Sequence, residues 1–239
     1  RSRQRLSVAE DDAPVVDPTR GTLVAVAFPV LATALAILWL ALEGTGELEG
    51  LALPLAALAL VSALAERISI QLGPRSWYSP TTPVVVLAAL LGGPLAGAAV
   101  ALAGQAGVTD TVWRRRTAGA GLGALQGIAA GIVGLAGATT PARAVGLAAG
   151  AMVAAVAVNS VGRWLILLER RASPLRAVWA RGALVDVVEA VITIPILASL
   201  LLVAPQSEIL VVSVLGALLT GLAIAQRMRE TTIAALETE

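Results

Sequence analysis

The chain contains no cysteine, no histidine and no lysine, and only 3% of its residues are aromatic and 14% charged. Each shortage closes a class of chemistry. Without cysteine there is no disulfide, thiolate nucleophile or sulfur-bound metal, and without histidine the commonest metal ligand and general base is missing. Zinc proteolysis, haem ligation and Ser-His catalysis are thereby excluded. The absence of lysine removes Schiff-base chemistry and the Gly-x-x-x-x-Gly-Lys phosphate loop. An intramembrane aspartyl protease needs two facing aspartates; the two near apolar runs, Asp110 and Asp186, stand in no Gly-x-Gly-Asp context. No catalytic residue, metal site or cofactor is read from the sequence, and the chain is expected not to be an enzyme.

What fills the chain instead is apolar. Of 239 residues 57% are hydrophobic, and the mean hydropathy is +0.85. Soluble domains carry charge on about a quarter of their residues, so the lipid bilayer is read as the solvent of this protein. The net charge is +1 and the arginines sit at the ends of apolar runs without forming a basic stripe, so no nucleic-acid partner is expected. Residues 1–20 are polar and lack the pattern of a secretory signal.

A bilayer core of about 30 Å calls for about 20 helical residues. Six runs meet or approach that length: 22–42, 51–65, 118–137, 144–168, 183–204 and 209–225. A seventh stretch, 83–108, is interrupted by Gly92-Gly93-Pro94, which breaks a helix and supplies a turn. Read as a hairpin, this stretch returns the chain to the side it left. Sixteen of the seventeen arginines then share one face and only Arg143 lies opposite, which by the positive-inside rule is the cytoplasmic face. Trp77, Tyr78, Trp113, Trp164 and Trp179 fall near that boundary and Trp39 near the other. The expected fold is all-α: a polytopic bundle of about eight transmembrane segments including the short hairpin, with both termini cytoplasmic. It divides into a leader (1–20), a transmembrane domain (21–226) and a helical connector (227–239). The hairpin arms are short, so either Ser76 to Thr82 enters extended or the unit is re-entrant, lining a cavity.

Gly119, Gly123, Gly127 and Gly131 recur every fourth residue, and Gly146 and Gly150 repeat the step on the next run. Small residues at this spacing let backbones approach in lipid. Packing within the chain is the first reading and a homodimer face the alternative. Polar groups also stand in or just inside apolar runs: Glu66 with Arg67, Gln105, Asp110, Gln126, Asn159 with Arg163, and Asp186 with Glu189. Buried charge is costly in a bilayer, so these groups are expected to pair or to face the bundle. Asp186 and Glu189, three apart, share a helix face on which Arg163 could neutralise one or bridge both. A structural ion pair is weighed first, against a ligand- or proton-responsive pair and simple snorkelling to the interface, and Gln105, Gln126, Asn159, Arg163, Asp186 and Glu189 are the candidate binding or switch set.

The order Glu66 through Gly73, Ser79 to Leu91, Gly93-Pro94, Trp113-Arg114-Arg115-Arg116, Gln126, Asn159-Ser160, Ser173 through Trp179 and a closing Arg-Met-Arg-Glu-Thr-Thr-Ile-Ala-Ala-Leu resembles the amino-terminal membrane regions of bacterial HD-GYP phosphohydrolases and related cyclic-di-GMP signalling proteins. That resemblance implies an input module of the bacterial inner membrane, joined to a cytoplasmic output domain in the same or a partner chain. None of the family's catalytic histidines or aspartates has a counterpart here. A weaker resemblance is to the substrate-binding subunits of energy-coupling-factor vitamin transporters. The chain begins with Arg1 and its connector runs to Glu239 without a stop signal, so a piece of a longer protein is expected. The expected function is a sensory module coupling a ligand or membrane state to output; the alternatives are a small-solute binding subunit of a transporter or a structural subunit of a membrane complex.

Overall fold

A computed structural model describes residues 22–43, 52–67, 70–73, 76–78, 81–106, 113–137, 140–169 and 175–203. The polar leader, the apolar run 209–225 and the connector 227–239 lie outside these residues. The described elements are α1 (Thr22–Glu43), α2 (Ala52–Arg67), β1 (Ile70–Gly73), β2 (Ser76–Tyr78), α3 (Thr81–Ala106), α4 (Trp113–Gly134), α5 (Pro141–Glu169) and α6 (Leu175–Val203). The protein is helical, and five of the helices are long and apolar enough to cross a membrane; α2, at 16 residues, is shorter.

Two short antiparallel strands, unforeseen in the sequence, lie between α2 and α3 of the otherwise helical fold. Ile70 pairs with Tyr78 and Gln71 with Trp77, with an irregularity before the Gly73–Ser76 pair. This segment carries β-branched and aromatic residues at its paired ends and flanks a Gly-Pro pair, the composition of a tight hairpin. Chain extended at Ser76 to Tyr78 therefore leads into α3, whose helix starts at Thr81.

The central element is α3. Its helical geometry fails at Gly92 (φ −127°, ψ 18°) and Gly93 (φ 75°, ψ −172°), the second a left-handed value that only glycine adopts without strain. Pro94 then restarts the helix. The two arms fold back on each other: a Cβ built on Gly104 would lie 3.4 Å from Thr81 Cγ2, positions that a straight helix would hold about 35 Å apart. Each arm rises only about 16–20 Å. The residues Val84, Val85, Val86, Leu87, Ala88 and Ala89 are all buried. Consecutive burial over more than a turn means helices cover every side, so the hairpin is the core and the other helices are its wall.

Contacts fix the direction of each helix. Leu23 and Val24 donate their N–H groups to the Glu169 carboxylate at 3.0 and 3.2 Å, so the start of α1 meets the end of α5. This supplies acceptors to first-turn donors that have no partner within α1. Thr81 Oγ1 donates to Glu66 Oε1 at 2.7 Å, joining the end of α2 to the start of α3. The positions beside Gly119 and Gly131 face Gln105 and Pro94, so α4 runs antiparallel to the second arm. One end of the bundle thus collects Arg67, Arg114 to Arg116, Arg176 and Arg181, while Arg143 opens α5 at the other. At that other end α5 starts cleanly: Pro141 takes the first helical position and Thr140 Oγ1 accepts the Arg143 N–H at 3.3 Å, the usual cap and N1 proline.

Candidate functional site

Glycine sets how closely α4 approaches the hairpin. A Cβ on Gly127 would collide with the backbone of Gly97 and Ala98, and one on Gly131 with Pro94 and Gly93. Backbone meets backbone there, leaving dispersion contacts in place of side chains. Towards the arginine end the partners grow: Gly123 faces the Ala101 side chain and Gly119 faces Gln105, whose Oε1 would lie 3.2 Å from an added Cβ. The stripe on α5 does not behave this way. Gly150 faces Val133 Cγ1, but nothing lies within 4 Å of Gly146, contrary to its expected packing role. The packed face of α5 is formed by Ala144, Ala148, Ala151 and Ala155, all fully buried; alanine is small enough for close approach, and Gly146 falls on the opposite, exposed side of the helix.

Where α4 and the hairpin part, a cleft of about 220 Å³ opens. Its wall includes Gln105, Gln126, Asn159, Arg163 and Glu189, five of the six residues of the candidate binding or switch set. The sixth, Asp186, is 1% exposed and sits behind Arg163. Arg163 Nη1 lies 3.1 Å from Asp186 Oδ1 and 3.2 Å from Oδ2. Asn159 Nδ2 donates to Oδ1 at 3.4 Å and Ser160 Oγ to Oδ2 at 3.5 Å. The positions 159, 160 and 163 place all three donors within one turn of α5. The buried carboxylate is thus neutralised and its lone pairs occupied, as a charge at this depth requires.

Of the expected bridge to both acids, the Arg163–Asp186 half is present among the described residues. Glu189, one turn further along α6, lines the cleft and is 8% exposed. Gln126, 8% exposed, donates Nε2 to the Ala155 carbonyl oxygen at 3.4 Å, which leaves its oxygen for the cleft.

Comparison with family models, curated proteins and solved structures finds no match to this chain. The site therefore stands on its own geometry. Sequence reasoning noted Glu66 as a polar group at membrane depth without placing it in the candidate set, and passed over Thr81 and Thr82; all three also line the cleft. A signal was available, because the hairpin threading puts the last residues of α2 and the first of α3 on one face, and Thr-Thr-Pro is a helix-start pattern. Among the described residues no group of three or more acidic, histidine or cysteine side chains is placed to hold a metal.

A second hollow differs in kind. It is a groove of about 460 Å³ between α1, α4 and α5, lined by apolar residues such as Phe28, Leu125, Ile132 and Val161. Ile132 and Val161 are more than half exposed, which suits contact with lipid chains.

Proposed function

We propose that this chain is a multi-pass input module of a bacterial signalling protein, seated in the cytoplasmic membrane with its arginine-rich end facing the cytoplasm. Its cleft binds a small polar solute, and the connector 227–239 passes the resulting change to a cytoplasmic output domain. In this reading the chain crosses the membrane an even number of times, with the α3 hairpin and run 209–225 completing the set. The observation that carries the reading is the convergence of polar side chains from α2, both arms of α3, α4, α5 and α6 on one cleft in an otherwise apolar bundle. Such groups are costly in lipid, where polar and ionisable side chains mark ligand or ion pathways.

Thr82→Phe, which fills the cleft, tests the reading. In cells carrying the full signalling protein, the variant is expected to fix the level of cyclic dinucleotide whatever the medium. An unchanged response overturns the proposal. Orientation is tested separately, since a chain without cysteine gives single-site labels. Arg143→Cys should react with an impermeant maleimide from outside, and Arg116→Cys only after permeabilisation.

A second reading, a solute-binding subunit of an uptake transporter, draws support from the broken hairpin, because irregular backbone at membrane depth accompanies protein-lined solute sites. It predicts accumulation of solute in cells, which Thr82→Phe would abolish.

A further inference from the structure

Arg163 spends only part of its hydrogen-bonding capacity on Asp186. A guanidinium carries donors on Nε, Nη1 and Nη2 in a rigid fork, and both oxygens of Asp186 gather on Nη1 alone. Among the described residues the Nε and Nη2 donors meet no acceptor, and the side chain is 39% exposed where it lines the cleft. A free Nε–Nη2 edge is the edge that takes a carboxylate with two parallel bonds. Glu66 offers the complement. Its Oε1 accepts from Thr81, its Oε2 meets no donor among the described residues, and it lines the same cleft.

We propose that the solute is a small zwitterion of the α-amino-acid class, its carboxylate on the free edge of Arg163 and its ammonium on Glu66. The inference rests on the cleft being a binding site, as proposed above. A simple anion would face the carboxylates of Glu66 and Glu189, and a simple cation would leave the Arg163 edge desolvated without acceptors; a zwitterion answers both. Gln105 and the oxygen of Gln126 remain to bond its side chain or its second ammonium protons. The size agrees: about 220 Å³ lies below the range of about 300–1,000 Å³ that holds drug-sized ligands, which suits a solute of amino-acid dimensions.

The test uses the intact chain in lipid nanodiscs and follows melting and calorimetric titration with four sets of probes. These are the common amino acids, their carboxamides, their N-acetyl derivatives, and the neutral solutes uracil and glycerol. At least one free amino acid should bind, with both blocked forms weaker by about ten-fold or more, the loss of one charge-assisted contact. Arg163→Lys keeps a cation beside Asp186 but removes the second edge; it should weaken the amino acid by a similar factor with little change in the melting point of the unliganded protein. Glu66→Gln should weaken the free amino acid and leave the N-acetyl form unaffected.

Binding of uracil or glycerol alone, abolished by Thr82→Phe, overturns the zwitterion and leaves the cleft reading standing. The zwitterion also falls, and the cleft survives, if no probe binds while Thr82→Phe still fixes the output level. If no probe binds and Thr82→Phe leaves the output responsive, both fall. Binding of an amino acid that Arg163→Lys does not weaken overturns the assigned pose.

Discussion

The hairpin and α4 lie side by side along a single glycine stripe, yet one end of their interface is closed and the other open. At Gly127 and Gly131 the backbones of α4 and the hairpin touch, whereas at Gly119 and Gly123 the same spacing faces Gln105 and Ala101 across side chains. The repeat on α4 is uniform; what differs is the residue opposite. A glycine or a turn proline opposite gives a dry seam, and an alanine or glutamine holds the helices apart. The seam anchors the tip of the hairpin, and its feet, Thr81, Thr82 and Gln105, are left to frame a polar cleft. Close backbone packing and the polar cleft are thus placed at opposite ends of one contact.

The sharpest way to break this contrast is to add bulk at each end. Gly127→Leu must push two backbones apart, and overpacking of this kind costs about 1–3 kcal/mol or more even for smaller additions. A folded, monodisperse bundle should be lost on size-exclusion chromatography. Gly123→Ala faces a Cβ at 3.3 Å and should cost less than about 1 kcal/mol. If Gly127→Leu is tolerated, the seam is not closed.

The cleft end is governed by charge instead of volume. Arg163→Ala leaves Asp186, 2% exposed along its side chain, without its cation. Removing one partner of a buried pair costs about 3–5 kcal/mol. Since the Arg163 side chain is 39% exposed, solvent supplies part of the compensation, and about 2–3 kcal/mol is expected. Adding Asp186→Asn should recover much of it, because a neutral amide needs no cation. Equal melting points for the single and double variants would show that the pair contributes nothing to joining α5 and α6. Thr81→Val is smaller still: it removes one bond to a carboxylate near the cleft mouth, worth about 1–2 kcal/mol, and should lower the melting point without altering the seam.

How much of this was legible beforehand divides along the same line. The six polar candidates could be picked out because each is an anomaly in an apolar run, and a bilayer gives such anomalies few places to go. The meeting of Arg163 with Asp186 follows from threading by arginine, which sets the two at one depth; that Gln105, Gln126 and Asn159 join them at one cleft did not follow from the threading. The break at Gly92-Gly93-Pro94 was equally plain, since its chemistry is local. The β-hairpin at 70–78 was missed because two strands of four and three residues carry too short an alternation to register between long helices. The packed faces were only half legible. In an alanine-rich chain, small-residue spacing recurs on several faces of one helix, and hydrophobic periodicity disappears where lipid and core are equally apolar. On α5 the glycines pointed to one stripe and the alanines that pack to another.

That difference between α4 and α5 yields the smallest predicted effect and the cleanest comparison of the two stripes. Gly146 has nothing within 4 Å, so an added methyl meets no obstacle. Alanine in place of glycine within a helix favours the folded state by up to about 1 kcal/mol through reduced backbone freedom. Gly146→Ala should therefore raise the melting point slightly. Gly150→Ala gains the same entropy term but sets its Cβ 3.0 Å from Val133 Cγ1, a contact the valine must yield to, and should be neutral or slightly destabilising. Both substitutions on one helix, measured together, separate propensity from packing, since propensity is common to the two. A loss of stability at Gly146 comparable to that at Gly127 would mean that a partner covers this face of α5, and the glycine repeat would then have to be read as an interface on both helices.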